Sequence, residues 1–194
     1  MTETHQHWYR IFTPPGPRKS MLLAVAGVGL ILAGGTAILT DLTSPSSPGF
    51  IAIALLGPTM AAVDVREHRL PDLLTLIWGI IAAIGMTLIC AFTNNWTPLA
   101  SGAIAATITT AAFYTLSILT KAGMGLGDIK LSAVMGLVIG PLGAQTLLAA
   151  LAGAFICGAI CAAIMRLRQP ASAELAFGPF LLSATIITGL LTSI

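Results

Sequence analysis

Two stretches of this sequence carry a carboxylate in otherwise apolar company: "VDVREHRLPD", Val63–Asp72, and "GMGLGDIKLS", Gly123–Ser132. In the second, glycine stands at positions 123, 125 and 127, and Asp128 follows at once. Alternating glycine leaves a backbone without side chains, which another extended chain can approach closely. "GMGLGD" does not match the GxGxxG nucleotide fingerprint, and no GK[ST] is present to cradle phosphate. Two carboxylates in one site can hold one proton between them, one acting as base toward water while the other polarises a carbonyl as acid. Asp64 and Asp128 together would be the apparatus of an aspartic protease. No serine or cysteine nucleophile with a suitable base is evident.

A metal or cofactor is not called for. His5, His7 and His68 lack ligand spacing, and the first two sit in a polar N-terminal stretch. Cys90, Cys157 and Cys161 fall inside apolar runs and form no pair of CxxC motifs, so they are expected to act as small hydrophobes in packing.

The elements that must position the aspartates follow from composition. The chain has 194 residues, 56% hydrophobic and 8% charged, with a mean hydropathy of +0.94. A soluble domain carries about 25% charged residues, and several runs here approach the roughly 20 apolar residues that cross a bilayer as a helix. The expected fold is therefore all-α, a polytopic membrane bundle of six or seven transmembrane helices embedded in the lipid bilayer. The net charge of +2 resides in short connecting loops and forms no patch for nucleic acid.

Residues 1–20 are polar with a Pro/Gly cluster and read as a flexible tail, leaving 21–194 as the membrane domain. Apolar spans are expected over Met21–Thr40, from Phe50 to about Arg69, over Leu73–Phe92 and over Leu99–Leu119. Ile129–Met165 is too long for one span at ~1.5 Å per residue and should turn back near "GPLG", Gly140–Gly143. A last span covers Leu175–Leu191. With the N-terminus in the cytoplasm, these seven spans put Arg10, Arg18, Lys19, Arg66, Arg69, Lys121, Lys130, Arg166 and Arg168 on the cytoplasmic side, which is every basic residue of the chain. Lysine and arginine accumulate on that side of membrane proteins.

Asp64, near the inward end of the second span, and Asp128, at the start of the fifth, then share one membrane depth. Ionisable residues within spans face the bundle interior and are functional candidates by default. Structural roles compete with this reading. Asp128 could be the N-cap of its helix, and Asp64 could pair with Arg66 or Arg69.

These stretches resemble the type IV prepilin peptidases, a family of intramembrane aspartic proteases. "GMGLGDIKLS" resembles the family's GxGD motif. "VDVREHRLPD" resembles its first catalytic segment, an aspartate followed seven residues later by Pro and then Asp. "FGPFLL", Phe177–Leu182, resembles its FGPF segment, and the three stand in the family's order. The resemblance implies that Asp64 and Asp128 are the catalytic pair. It implies that Gly125 and Gly127 shape the second aspartate's loop, and that Lys130, Phe177, Gly178 and Pro179 are structural or substrate-adjacent. Substrates would be prepilins, pseudopilins or similar pilin-like precursors. Their short basic leader would be removed at the cytoplasmic face of the inner membrane. Residues 1–20 leave no room for the four-cysteine N-terminal region of larger members, so a peptidase-only form without N-methylation is expected.

Other readings compete. A presenilin-like or signal-peptide-peptidase-like enzyme would carry "YD" and "PAL", and neither occurs. A small transporter would use the two aspartates as proton or cation sites, and a non-catalytic scaffold would be expected to lack one of them.

Overall fold

The computed structural model describes residues 19–39, 41–67, 71–120, 125–168 and 177–192. Among them are seven α-helices: α1 (Lys19–Leu39), α2 (Ser47–Glu67), α3 (Asp72–Thr93), α4 (Thr97–Leu119), α5 (Leu126–Ile139), α6 (Ala144–Arg168) and α7 (Gly178–Leu191). A 3-10 turn, Gly140–Leu142, separates α5 from α6 where a reversal was expected. The expected tail lies outside the described residues except for Lys19 and Ser20, which begin α1.

Four stretches, Ser47–Arg66, Asp72–Thr93, Thr97–Leu119 and Ala144–Met165, are long and apolar enough to cross a membrane. α5 and α7 have 14 residues each, about 21 Å at 1.5 Å per residue against a hydrocarbon core of about 30 Å. α5 can be short because it is enclosed by protein, packed against α3, α4 and α7.

α4 is apolar on every side, and what separates its inside from its outside is largely size. α4 buries Gly102, Ala105, Thr109 and Phe113, and turns Ile104, Ile108 and Ile118 outward. Small residues let helix backbones approach in a bilayer, where apolar contact alone gives no preference for protein over lipid. The α4–α5 seam is one example. A Cβ at Gly136 would lie 2.5 Å from Thr109 Oγ1 and 2.7 Å from Ala106 Cα, and one at Gly102 would lie 2.7 Å from the Leu137 carbonyl oxygen. The Thr109 hydroxyl donates across this seam to the Ser132 carbonyl at 2.9 Å.

α2 is stitched to α3 by the buried Trp78, whose Nε1–H donates to the Gly49 carbonyl at 2.9 Å. Phe50 on α2 lies over Gly189 on α7. These pairings make α4/α5 and α2/α7 antiparallel. The end of α2 and the beginnings of α3, α5 and α7 therefore gather at one end of the bundle. Cys90 is buried in packing, as expected, but Cys157 is exposed. α6 packs chiefly against α7, which leaves the outer face of α6 uncovered by protein.

Candidate active site

Both aspartates lie in the buried stripes of their helices. On α2 the buried positions Ile53, Gly57 and Met60 recur at spacings of four and three, and Asp64 is the next member. On α5 the stripe begins with Asp128 and continues through Leu131, Ser132, Met135 and Val138. A carboxylate thus stands where the helix period calls for a core residue, at the same end of the bundle in both cases. Asp64 is 5% exposed and Asp128 9%. The two carboxylates are close enough to interact electrostatically.

Local structure around Asp128 differs from simple capping. Gly125, extended at φ −68° and ψ 147°, is the N-cap of α5. Asp128 is the third residue of the helix. Its N–H donates to the Gly125 carbonyl at 3.1 Å, and its carboxylate accepts from the Gly125 backbone N–H. The carboxylate reaching back to the N-cap amide is the inner half of a capping box, and glycine at the N-cap supplies no side chain for the outer half. This contact holds the carboxylate at the positive end of the helix, where negative charge is favoured. Gly127 is half-buried between the two. Lys121–Met124, including the first glycine of the alternating stretch, lie outside the described residues, as does Arg69. Arg66 is exposed.

Lys130 is two residues past Asp128, and its Nζ lies 2.7 Å from Asp72 Oδ2. The first carboxylate segment ends on Asp72, so this ion pair joins the two motifs. Asp72 was not singled out from the sequence, although "RLPD" contains it. Its partner was invisible because pairing depends on how α3 and α5 lie together.

The FGPF stretch opens α7 at the end of the bundle that carries the aspartates. Phe177 is the N-cap of α7, and Gly178 and Pro179 are its first two residues, where the missing proline N–H costs nothing. The Phe177 ring lies 5.0 Å from that of Phe155 on α6, which lies 5.7 Å from Phe113 on α4. Gly158 leaves the room: a Cβ there would come 2.9 Å from Phe177 Cε2. These rings pin the start of α7 to α6 and α4, and α7 in turn packs against both aspartate helices. Phe113 and Phe155 carried no signal in the sequence beyond being aromatic.

Among the described residues no group of three His, Cys, Asp or Glu is placed to hold a metal ion. A groove of about 300 Å³ between α6 and α7, lined by Gly153, Ala154, Cys157, Phe180 and Thr188 among others, contains neither aspartate. Two interacting carboxylates can activate water and protonate a leaving group between them.

A family model described as the type IV leader peptidase family matches residues 49–163, more than half of the chain. The matched region contains both aspartates and ends before Phe177. No curated protein matches the chain, and no solved structure does.

Proposed function

The chain belongs to the type IV leader peptidase family, and from that premise we propose that it is an intramembrane aspartic endopeptidase in which Asp64 and Asp128 activate the attacking water. The observation that carries this reading is the convergence of two buried carboxylates from separate helices, near enough to act on each other. In the proposed step one carboxylate takes a proton from water as the oxygen attacks the scissile carbonyl. The other donates a proton to the carbonyl oxygen. On collapse the first carboxyl passes its proton to the leaving nitrogen and the second takes back the hydroxyl proton, and the C–N bond breaks to release the new amine and acid. The N-cap Gly125, followed by Gly127 in the first turn, presents Asp128, and the FGPF segment positions α7 beside it.

The substrates proposed are type IV prepilin-like or pseudopilin precursors, cut between a short basic leader and an apolar helix. Arg66 lies in the last turn of α2 and Lys130 is the fifth residue of α5, at the end of the bundle that carries the aspartates. Basic loops face the cytoplasm in membrane proteins, which supports cleavage at the cytoplasmic face of the inner membrane. The proposal covers hydrolysis alone and assigns no methyl transfer to these residues.

The test is co-expression with pilin-like precursors, scored by gel shift and by N-terminal sequencing of the product. Cleavage immediately before the apolar segment, lost in Asp128→Asn, is the expected result. A well-inserted wild-type protein that cleaves none of several such precursors would overturn the assignment. Proton or cation flux through reconstituted protein would then be measured.

A further inference from the structure

Lys130 stands where helix electrostatics does not want it. It is the fifth residue of α5, close behind the positive end of the helix dipole, which disfavours a cation. Asp72, by contrast, is the first residue of α3, where a carboxylate is favoured. The 2.7 Å contact between Lys130 Nζ and Asp72 Oδ2 offsets the misfit and ties the start of α5 to the start of α3.

Positions two apart on a helix do not share a face. Asp128 is accordingly buried, while the Lys130 side chain is 53% exposed. Lys130 therefore acts on the helix that carries Asp128 and not on its carboxylate. The rest of α5 is held differently. The glycine seam with α4 at Gly136 and Gly140, and the Thr109–Ser132 hydrogen bond, grip the helix from Ser132 onward. Ahead of Ser132, the ion pair is a side-chain tie between the beginning of α5 and α3.

We propose that Lys130 and Asp72 are positioning residues, a strap that sets the approach of α5 to α3 and so holds Asp128 at its working distance from Asp64. This rests on the aspartic-peptidase reading above. With both side chains more than half exposed, the pair contributes little to folding. Its effect falls on alignment instead, where a displacement of about 1 Å can cost about 10²-fold in rate.

The test compares Lys130→Met, Asp72→Asn, Lys130→Arg and the charge swap Lys130→Asp/Asp72→Lys in purified, full-length protein. Each of the first two lowers kcat about tenfold with KM within about twofold, as expected for lost alignment without lost binding. Lys130→Arg stays near wild type, and the swap recovers much of the lost kcat. Single variants within twofold of wild type, or a swap no better than either single, would overturn the strap.

Amide hydrogen exchange over residues 126–131 provides a readout independent of substrate. Exchange should quicken in Lys130→Met and return toward wild type in the swap, and unchanged exchange counts against the strap. A wild type that cuts no precursor would strike the peptidase reading alone, with the exchange comparison still deciding this one.

Discussion

Asp64 closes the buried stripe of α2 and Asp128 opens the buried stripe of α5, and the two carboxylates interact across the space between helices that are far apart in sequence. Neither is a surface residue that happens to lie close to the other. Each replaces a core side chain, and burying a charge is expensive unless something uses or compensates it.

Replacing either carboxylate should therefore remove chemistry and spare the fold. Asp64→Asn and Asp128→Asn are each expected to lower leader cleavage by about 10²–10⁴-fold, the usual worth of a positioned acid or base. Membrane insertion and the detergent melting temperature should stay near wild type. An Asn variant keeping most of its activity would remove that position from the mechanism.

The α4–α5 seam should be intolerant of a single methyl group. A Cβ at Gly136 meets the Ala106 Cα at 2.7 Å and the Ala105 carbonyl oxygen at 2.8 Å, backbone atoms that cannot swing aside. Gly136→Ala is expected to destabilise by about 1–3 kcal/mol, as overpacking does, and to lower activity by moving α5. Gly153→Ala, where nothing lies within 4 Å, is the control and should melt at or above the wild-type temperature. Equal melting of the two variants would refute the seam.

Trp78 is fully buried, and its indole N–H donates to the Gly49 carbonyl. Trp78→Phe keeps most of the ring and removes the donor, leaving that carbonyl without its indole partner. The expected loss is about 1–3 kcal/mol, read as lower resistance to denaturant in detergent. A variant as stable as wild type would mean that the carbonyl finds another donor.

The turn between α1 and α2 carries its own pH dependence. The Thr43 hydroxyl, at 2.7 Å, and then the Thr43 N–H, at 2.9 Å, donate to Asp41 and hold its carboxyl below the ordinary carboxylate value. A depressed folded value gives a contribution present above the unfolded pKa and lost as pH falls through the folded one. Asp41 is fully exposed, so the effect is local. Thr43→Ala should raise the Asp41 titration midpoint in a carboxyl NMR titration, and an unmoved midpoint would dismiss the hydroxyl's part.

Much of this was legible in one dimension. Lipid demands long apolar runs with every backbone group satisfied inside a helix, so hydropathy alone located seven helices and the reversal near Gly140–Gly143. The two aspartates were legible for the same reason, since a carboxylate in such a run stands out against its neighbours. Hydropathy is silent, however, on which face of an apolar helix meets protein and which meets lipid, because both are equally apolar. Rotation of the helices about their axes, set by where glycine lets backbones close together, was decided only in three dimensions. It made α5 a short, enclosed helix, put Gly125 and not Asp128 at the cap, left Cys157 outside, and brought Lys130 to Asp72 and Phe177 to Phe155. The sequence by itself determined that two carboxylates enter the membrane domain. The tertiary structure decided that they lie within electrostatic reach of each other, because the packing of α2 and α5 against the common neighbours α3 and α7 turns both buried stripes toward one place.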